Sequence, residues 1–419
     1  MTTGPTIITT TDELTARCRA WRSAPYLAVD TEFMREKTYW PILCLIQVGA
    51  PEESVAIDPM ANGIDLTPFF ELLCEPSVLK VFHAARQDIE VFHHLTGKIP
   101  APIFDTQIAA MVCGFGESVS YEKLVKKIEG AEVDKAIRFT DWARRPLTDR
   151  QVLYALSDVS HLRPIYEHLA RELERTERRS WLDEELAALS DPKLYAADPE
   201  EGWRRLKPRT ANRRYLAILR ELAAWREREA QRRDVPRNRI VRDEALTEIA
   251  AHAPSKANEL AHSRAMSPKI AEGPFGEAML AGVQRGLAVP EAECPILPPP
   301  PARGLGGSPL ADLLRVLLKM KAEDSGVAPR LIASSDDLDL IAAPGEVTGV
   351  AALGGWRFEL FGADALAMKD GRLALSAERG RIILVPREPS GALGEPIMKR
   401  GGRRGRGRGH GRRPGPTTP

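Results

Sequence analysis

Four short apolar runs, Tyr26–Val29, Ile42–Val48, Ser54–Ile57 and Leu79–Phe82, constrain the fold more than any other feature of the chain. Each has the length and residue types of a strand. The gaps between the first three are too short to hold helices, so those three form an antiparallel meander. Helical patterns come next: Asp65–Cys74, Asp88–Leu95, and Gln107–Met111 after the turn residues Pro100, Pro102 and Asp105. A meander followed by strands alternating with helices predicts an α/β domain whose sheet is mixed.

Thr148 with Gln151 forms a capping-box pattern that opens a long helix through Leu169, with a bend at Pro164. From about Trp203 the chain is rich in arginine and strand signals disappear. Tyr215, Ile218, Leu219, Leu222 and Trp225 share one helical face, Val235–Pro236 breaks it, and Asp243 is expected to cap a second helix carrying Leu246, Ile249 and Ala250. Pro254 and Pro268 punctuate two further short helices, giving a small helical module. Pro290, Pro295 and Pro298–Pro301 with neighbouring glycines read as a semi-rigid linker. Beyond it Leu310–Lys321, Ser334–Ile341 and Trp356–Phe361 read as helices and Arg381–Pro386 as a strand.

At 419 residues the chain exceeds what one core usually serves, so two to three domains are expected. No apolar run approaches the ~20 residues of a membrane span, and the first sixteen residues carry Asp12 and Glu13 but no basic residue. A cytoplasmic protein without membrane attachment is expected. Cys18, Cys44, Cys74, Cys113 and Cys294 are odd in number and never form C-x-x-C, so neither a disulfide framework nor a zinc cluster is indicated. Charge is polarised. Residues 399–419 hold Lys399 and seven arginines against no acid, so residues 1–398 carry −7 within a total of +1. Such a tail cannot build a core and suits a polyanion or an acidic surface.

Three strings carry chemistry. In Ala28-Val29-Asp30-Thr31-Glu32-Phe33, residues two apart on a strand share a face, so Asp30 and Glu32 sit side by side; the pair is either solvated at a strand end or tolerated because a cation binds there. In Phe82-His83-Ala84-Ala85-Arg86-Gln87-Asp88, the aspartate falls in the first turn of a helix, where capping alone would explain it. Asp105 has the same ambiguity, and capping is the preferred explanation there. In Tyr154-Ala155-Leu156-Ser157-Asp158, a phenol and a carboxylate at i and i+4 project from one helix face, as a site or as a structural tie.

In this order on an α/β domain, the strings resemble the DEDDy exonuclease superfamily. Asp30 and Glu32 match its first motif, Asp88 its second, and Tyr154 with Asp158 its third. Leu153 stands where the histidine branch would need its catalytic residue. The stretch Glu32-Phe33-Met34-Arg35-Glu36-Lys37-Thr38-Tyr39-Trp40-Pro41 with Leu43–Gln47 looks like the ribonuclease D family in particular, over about residues 5–200. Leu219–Glu227 followed by Asp234–Ile240 is similar to an HRDC domain, a nucleic-acid-binding helical bundle; Arg213, Arg214, Arg226, Arg228, Arg232, Arg233, Arg237 and Arg239 could supply phosphate contacts, the alternative being a plain helical bundle whose arginines are solvated.

The resemblance implies a mixed-sheet exonuclease domain of ribonuclease H-like fold (1–200), then HRDC-type helical modules at 208–288 and 309–388 separated by the linker 289–308, and a basic Arg/Gly tail at 389–419. Gly354-Gly355-Trp356-Arg357 and the strand-like end depart from the usual HRDC pattern in the second module. It further implies 3′–5′ exoribonuclease activity releasing nucleoside 5′-monophosphates from RNA 3′ ends, with tRNA precursors as the expected substrate and a monomer as the expected state. Two divalent ions, Mg²⁺ or Mn²⁺, would be the cofactors, since hard ions prefer oxygen ligands. Asp30 would bridge them, Glu32 and Asp158 complete one site, Asp88 serve the other, and Tyr154 orient or help deprotonate the attacking water. A DNA-directed 3′–5′ exonuclease and a non-catalytic RNA-binding protein on the same fold are the alternatives; the presence of all four acids and the tyrosine argues against the second. Nothing supports nucleotide-cofactor binding or a serine nucleophile: there is no phosphate-binding G-x-x-x-x-G-K-[ST] loop, and Gly116–Ser120 lacks the second glycine of a nucleophile elbow. His93-His94 reads as a surface or capping pair.

Overall fold

The computed structural model describes residues 6–133, 137, 139–263, 266–297 and 308–387. The proline run Pro298–Pro301 and the basic tail lie outside the described residues. Strands β1 (Ile7–Ile8), β2 (Tyr26–Met34), β3 (Ile42–Ala50), β4 (Glu53–Ile57), β5 (Leu79–Phe82) and β6 (Ile103–Asp105) form one sheet in the order β1-β4-β3-β2-β5-β6. The meander β2-β3-β4 is antiparallel, while β5 pairs parallel with β2 and β6 with β5. The sheet is therefore mixed, as the spacing of the runs predicted. Two strands were not foreseen: β1 and β6 are two and three residues long, too short to display a period.

Each face of the sheet is covered, which is why the central strands are apolar on both sides. Helices α1 (Thr11–Trp21), α2 (Thr67–Leu73) and α3 (Arg86–Thr96) bury Leu14, Trp21, Phe69, Leu72, Ile89 and Phe92 against Leu27, Val29, Ile46 and Val48. After α4 (Thr106–Val112) and α5 (Tyr121–Ile128) comes α6 (Asp149–Arg175), whose Val152 and Ala155 cover Cys44, Leu45 and Ala56 on the opposite face. The Thr148–Gln151 capping box is present. The helix runs through Pro164 and ends six residues beyond the expected Leu169, because Leu173 continues its buried stripe.

Helix α7 (Arg179–Leu189) leads to the helical module: α8 (Arg213–Arg233), α9 (Arg237–Ile240), α10 (Asp243–His252), α11 (Ala257–Ala261), α12 (Pro268–Ala271) and α13 (Pro274–Ala288). Its core joins Tyr215, Ile218, Leu219 and Leu222 to Leu246, Ile249, Met279 and Val283. Asp243 is not the cap of α10; it is the first helical residue, and its carboxylate accepts from Arg226 Nη1 at 2.6 Å. Further on lie α14 (Pro309–Ser325), α15 (Pro329–Ile332), α16 (Ser335–Ala342) and a helix from Gly355 that passes through a π turn at Phe358–Gly362. Leu373–Glu378 and Arg381–Pro386 form a separate antiparallel hairpin, of which the sequence announced the second strand.

Candidate active site

Alternation along β2 sorts its side chains. Leu27 and Val29 enter the core under α1–α3, so Asp30 and Glu32 fall on the other face, toward α6, and Thr31 falls on the side of α3. Opposite Glu32 the pairing slips: Glu32 faces Leu45 and Phe33 faces Leu43, leaving Cys44 as an extra residue in β3. Such a bulge bends the strand pair where the carboxylates emerge.

Helix α6 reaches these carboxylates because nothing holds it away. It lies on β3 at Gly49, where a Cβ would stand 2.9 Å from the carbonyl oxygen of Val159. The capping box sets where the helix begins, Ala155 and Val159 turn to the sheet, and Tyr154 and Asp158 project one turn apart. One oxygen from each of Asp30, Glu32 and Asp158 falls within 4.8 Å of the others. Leu153, on the same helix, is 59% exposed.

Asp88 enters from the first turn of α3. Its carboxylate is not a cap. It is buried and accepts a hydrogen bond from the Thr31 hydroxyl. Burial, followed by the charge of Asp30, holds its carboxyl well above the usual range, with the Thr31 bond acting in the opposite direction. Asp105 does cap: it accepts from the backbone N–H of Gln107 (2.8 Å) and Ile108 (3.3 Å) at the start of α4. It also accepts from Ala84 (3.1 Å) and Ala85 (2.8 Å), so it fixes the turn that leads into α3. Ala84 has φ +58°, a left-handed conformation that this anchoring holds in place.

Asp30, Glu32, Asp88, Tyr154 and Asp158 line one cavity of about 430 Å³. Thus the structure brings the five sequence-predicted residues together, three carboxylates in one cluster and Asp88 beside them. Residues that no motif announced line it too. The Tyr121 hydroxyl donates to the backbone oxygen of Asp158, and burial with the charges of Asp158 and Asp30 keeps this phenol protonated. His83 Nδ1 lies 3.0 Å from Thr106 Oγ1, whose own proton goes to the Phe82 carbonyl; His83 therefore donates through Nδ1 and keeps its Nε2 lone pair, and burial lowers its pKa. Neither had a sequence signal beyond lying near a motif. His94 stacks on Trp40 at 4.0 Å and His93 tilts against Tyr195, so that pair packs rather than ligates. The donor set fits a hard divalent cation: all four ligand candidates are carboxylates, and the repulsion among them is the kind a cation relieves.

A sheet of this order with its carboxylates gathered under one long helix defines a nuclease-type site, and comparison with known proteins gives the class. Residues 5–174 match the 3′–5′ exonuclease family and residues 215–283 the HRDC domain. The chain is 49% identical to ribonuclease D of Granulibacter bethesdensis over 91% of its length and 96% of the relative's. It is 51% identical to ribonuclease D of Jannaschia sp., over 91% and 99%. The crystal structure of Escherichia coli RNase D superposes with a TM-score of 0.75 at 31% identity, covering 88% of this chain and 99% of that one. The chain belongs to the ribonuclease D family and is a 3′–5′ exoribonuclease. Among the described residues, no helix is long and apolar enough to cross a membrane.

Proposed function

We propose that Asp30, Glu32, Asp88 and Asp158 hold two divalent cations, Mg²⁺ or Mn²⁺, and that this centre trims tRNA precursors from their 3′ ends in the cytoplasm. The observation that carries the reading is the 4.8 Å cluster of Asp30, Glu32 and Asp158 oxygens, with Asp88 and Tyr154 on the same cavity. When bound, the cations supply an activated water and charge stabilisation for the leaving 3′ oxygen.

The chain's own groups do the rest. Asp30 would contribute to both ion sites, Glu32 and Asp158 to one, and Asp88 to the other. Thr31 fixes the Asp88 carboxylate by its hydrogen bond, and Tyr121 fixes the backbone that carries Asp158. Tyr154, one turn before Asp158, places its hydroxyl to orient the attacking water. Residues 1–200 form the catalytic domain; 208–288 and 309–388 are two HRDC-type modules joined by 289–308, and the 389–419 tail adds affinity for RNA.

The test is purified protein on a 3′-extended tRNA precursor and a matched single-stranded DNA, with Mg²⁺, Mn²⁺ or EDTA. Stepwise shortening of the RNA with release of 5′-monophosphates, abolished by EDTA, is expected. Equal or faster loss of the DNA would overturn the substrate assignment, and hydrolysis in EDTA would overturn the metal assignment.

A further inference from the structure

Between β2 and β3 the chain runs through residues 35–41, and the helical module holds this connection from outside. The Asp234 carboxylate, just past the end of α8, accepts from the backbone N–H of both Tyr39 and Trp40 at 3.0 Å. Asp234 has φ +49°, a left-handed turn that aspartate, asparagine and glycine tolerate. Tyr39 is 3% exposed, and its hydroxyl donates to Glu227 of α8. Gln231 Nε2 donates to the same hydroxyl at 3.2 Å, and the Arg237 guanidinium lies over the ring at 4.6 Å. Glu227 is buried but compensated, since Arg237 donates two 2.6 Å bonds to it and Arg205 pairs with it at 3.1 Å.

The other side of this connection grips α3, the helix that carries Asp88. Arg35 donates to the Tyr39 carbonyl at 3.2 Å and pairs with Glu90 of α3 at 2.8 Å. Trp40 stacks on His94 of the same helix. Asp88 lies two residues before Glu90. A cavity of about 340 Å³ at this junction is lined by Arg35, Arg205, Arg226 and Arg237, but each of these arginines already pairs with a carboxylate, so the junction reads as a brace rather than an anion site.

We infer that the HRDC module positions the catalytic centre, with Asp234 and Glu227 as positioning residues that set α3, and hence Asp88, against the β2 carboxylates. The inference rests on the assignment of Asp30, Glu32 and Asp88 to the reaction. Its consequence is that the module acts on turnover as well as on RNA affinity. A displacement of ~1 Å at a catalytic group can cost about 10²-fold, so loosening the brace by a fraction of that lowers kcat by roughly tenfold.

The experiment uses full-length protein and a labelled tetraribonucleotide as probe. Asp234→Gly keeps the left-handed turn free of strain but removes the acceptor; Asp234→Asn retains an acceptor oxygen. The expected result for Asp234→Gly is a kcat about tenfold lower with KM within about twofold, together with faster hydrogen exchange at the Tyr39 and Trp40 amides. Asp234→Asn should restore both. Tyr39→Phe, which keeps the ring and loses the hydroxyl, should lower kcat in the same direction. Wild-type kcat in Asp234→Gly would overturn the inference whether or not the amides exchange faster, as would an effect confined to KM or an Asn variant as impaired as Gly. Asp30→Asn in the same assay separates the two levels: if it is inactive while Asp234→Gly is fully active, this inference alone falls, and if it is fully active, the reading of the site falls and this inference with it.

Discussion

Gly49→Ala puts the least possible matter at the contact that lets α6 reach the carboxylates. The new Cβ would lie 2.9 Å from the Val159 carbonyl oxygen, 3.1 Å from its Cβ and 3.3 Å from the Ala28 Cβ, all inside the 3.4 Å at which ordinary contact begins. Two of the three neighbours are side chains of short reach and one is backbone, so relief requires the helix to lift by about 0.5 Å. It cannot lift freely. Ser160 Oγ is 3.0 Å from Ser54 Oγ, Tyr26 donates to Glu167 at 2.6 Å, and Arg163 donates to the Ala50 carbonyl. Overpacking of this kind costs about 1–3 kcal/mol. Val159 follows Asp158 directly, so a half-ångström displacement there should also lower kcat by roughly tenfold. Urea unfolding gives the first quantity and single-turnover hydrolysis of a short RNA the second. Gly202→Ala is the control, because its Cβ would meet nothing nearer than 3.7 Å. A Gly49→Ala enzyme within about 0.5 kcal/mol of wild type, or one that is destabilised with turnover intact, would refute the argument that this close approach places Asp158.

Asp30→Asn should leave less than about a tenth of wild-type turnover while the metal-free protein stays folded or gains stability, since a charge that raises the Asp88 pKa is gone; activity and urea midpoint in EDTA check the two halves. Tyr154→Phe keeps the ring and should lower kcat by about 10²-fold with stability within about 1 kcal/mol; lost stability with preserved turnover would make the hydroxyl a structural tie. Lys80 is fully buried and donates to the carbonyls of Glu75, Val78 and Ala101 at 2.8, 2.6 and 2.5 Å, so Lys80→Met should cost about 2 kcal/mol or more. Burial lowers its pKa from 10.5 to about 8; between those values the unfolded chain binds the proton and the folded one does not, so wild-type stability rises with pH there and the cost of Lys80→Met should be larger at about pH 9.5 than at pH 7. Removing residues 399–419 should flatten the salt dependence of RNA binding by up to about 6 in log–log slope, at ~0.7 per phosphate, with kcat unchanged; superimposable slopes would show that the tail does not touch RNA.

What could be read in the letters was what has a short period or a fixed spacing. The runs that became β2–β5, the meander, the capping box and the i, i+4 pair Tyr154–Asp158 are all local. Asp105 and Asp88 presented the same local signal, an acid at a helix start, and took opposite roles. What separates them is a partner 57 residues away from Asp88, Thr31, which no window could include. Lys80, inside an apolar strand, gave no sign that three carbonyls waited for its ammonium. The bulge at Cys44 and the close approach at Gly49 likewise depend on the neighbouring element rather than on the strand itself.

Arginine content is an incomplete guide for a related reason. Eight arginines of the helical module could supply phosphate contacts on sequence grounds, but charge counted along a sequence says nothing of what already neutralises it. Arg213 donates to the carbonyls of Ala292 and Cys294, and Arg214 to those of Gly286, Leu287 and Val289, closing the end of the bundle. Arg226 is 3% exposed and serves Val241 and Asp243. Arg228 pairs with Glu200, Arg232 and Arg233 with Glu229, and Arg237 with Glu227. Arg239 is exposed and makes no ion pair among the described residues. A buried guanidinium such as Arg226 must break its contacts to bind a phosphate, whereas the exposed Arg228, Arg232 and Arg233, each held by one carboxylate partner, meet a phosphate at a smaller net gain in charge. The module's basic composition is therefore largely consumed in holding the module together and in bracing the catalytic domain at Tyr39. Residues 399–419, with eight cations and no acid, have no such neutralising partners within their own stretch of sequence, which is why truncation there is the sharper test of salt-dependent RNA binding.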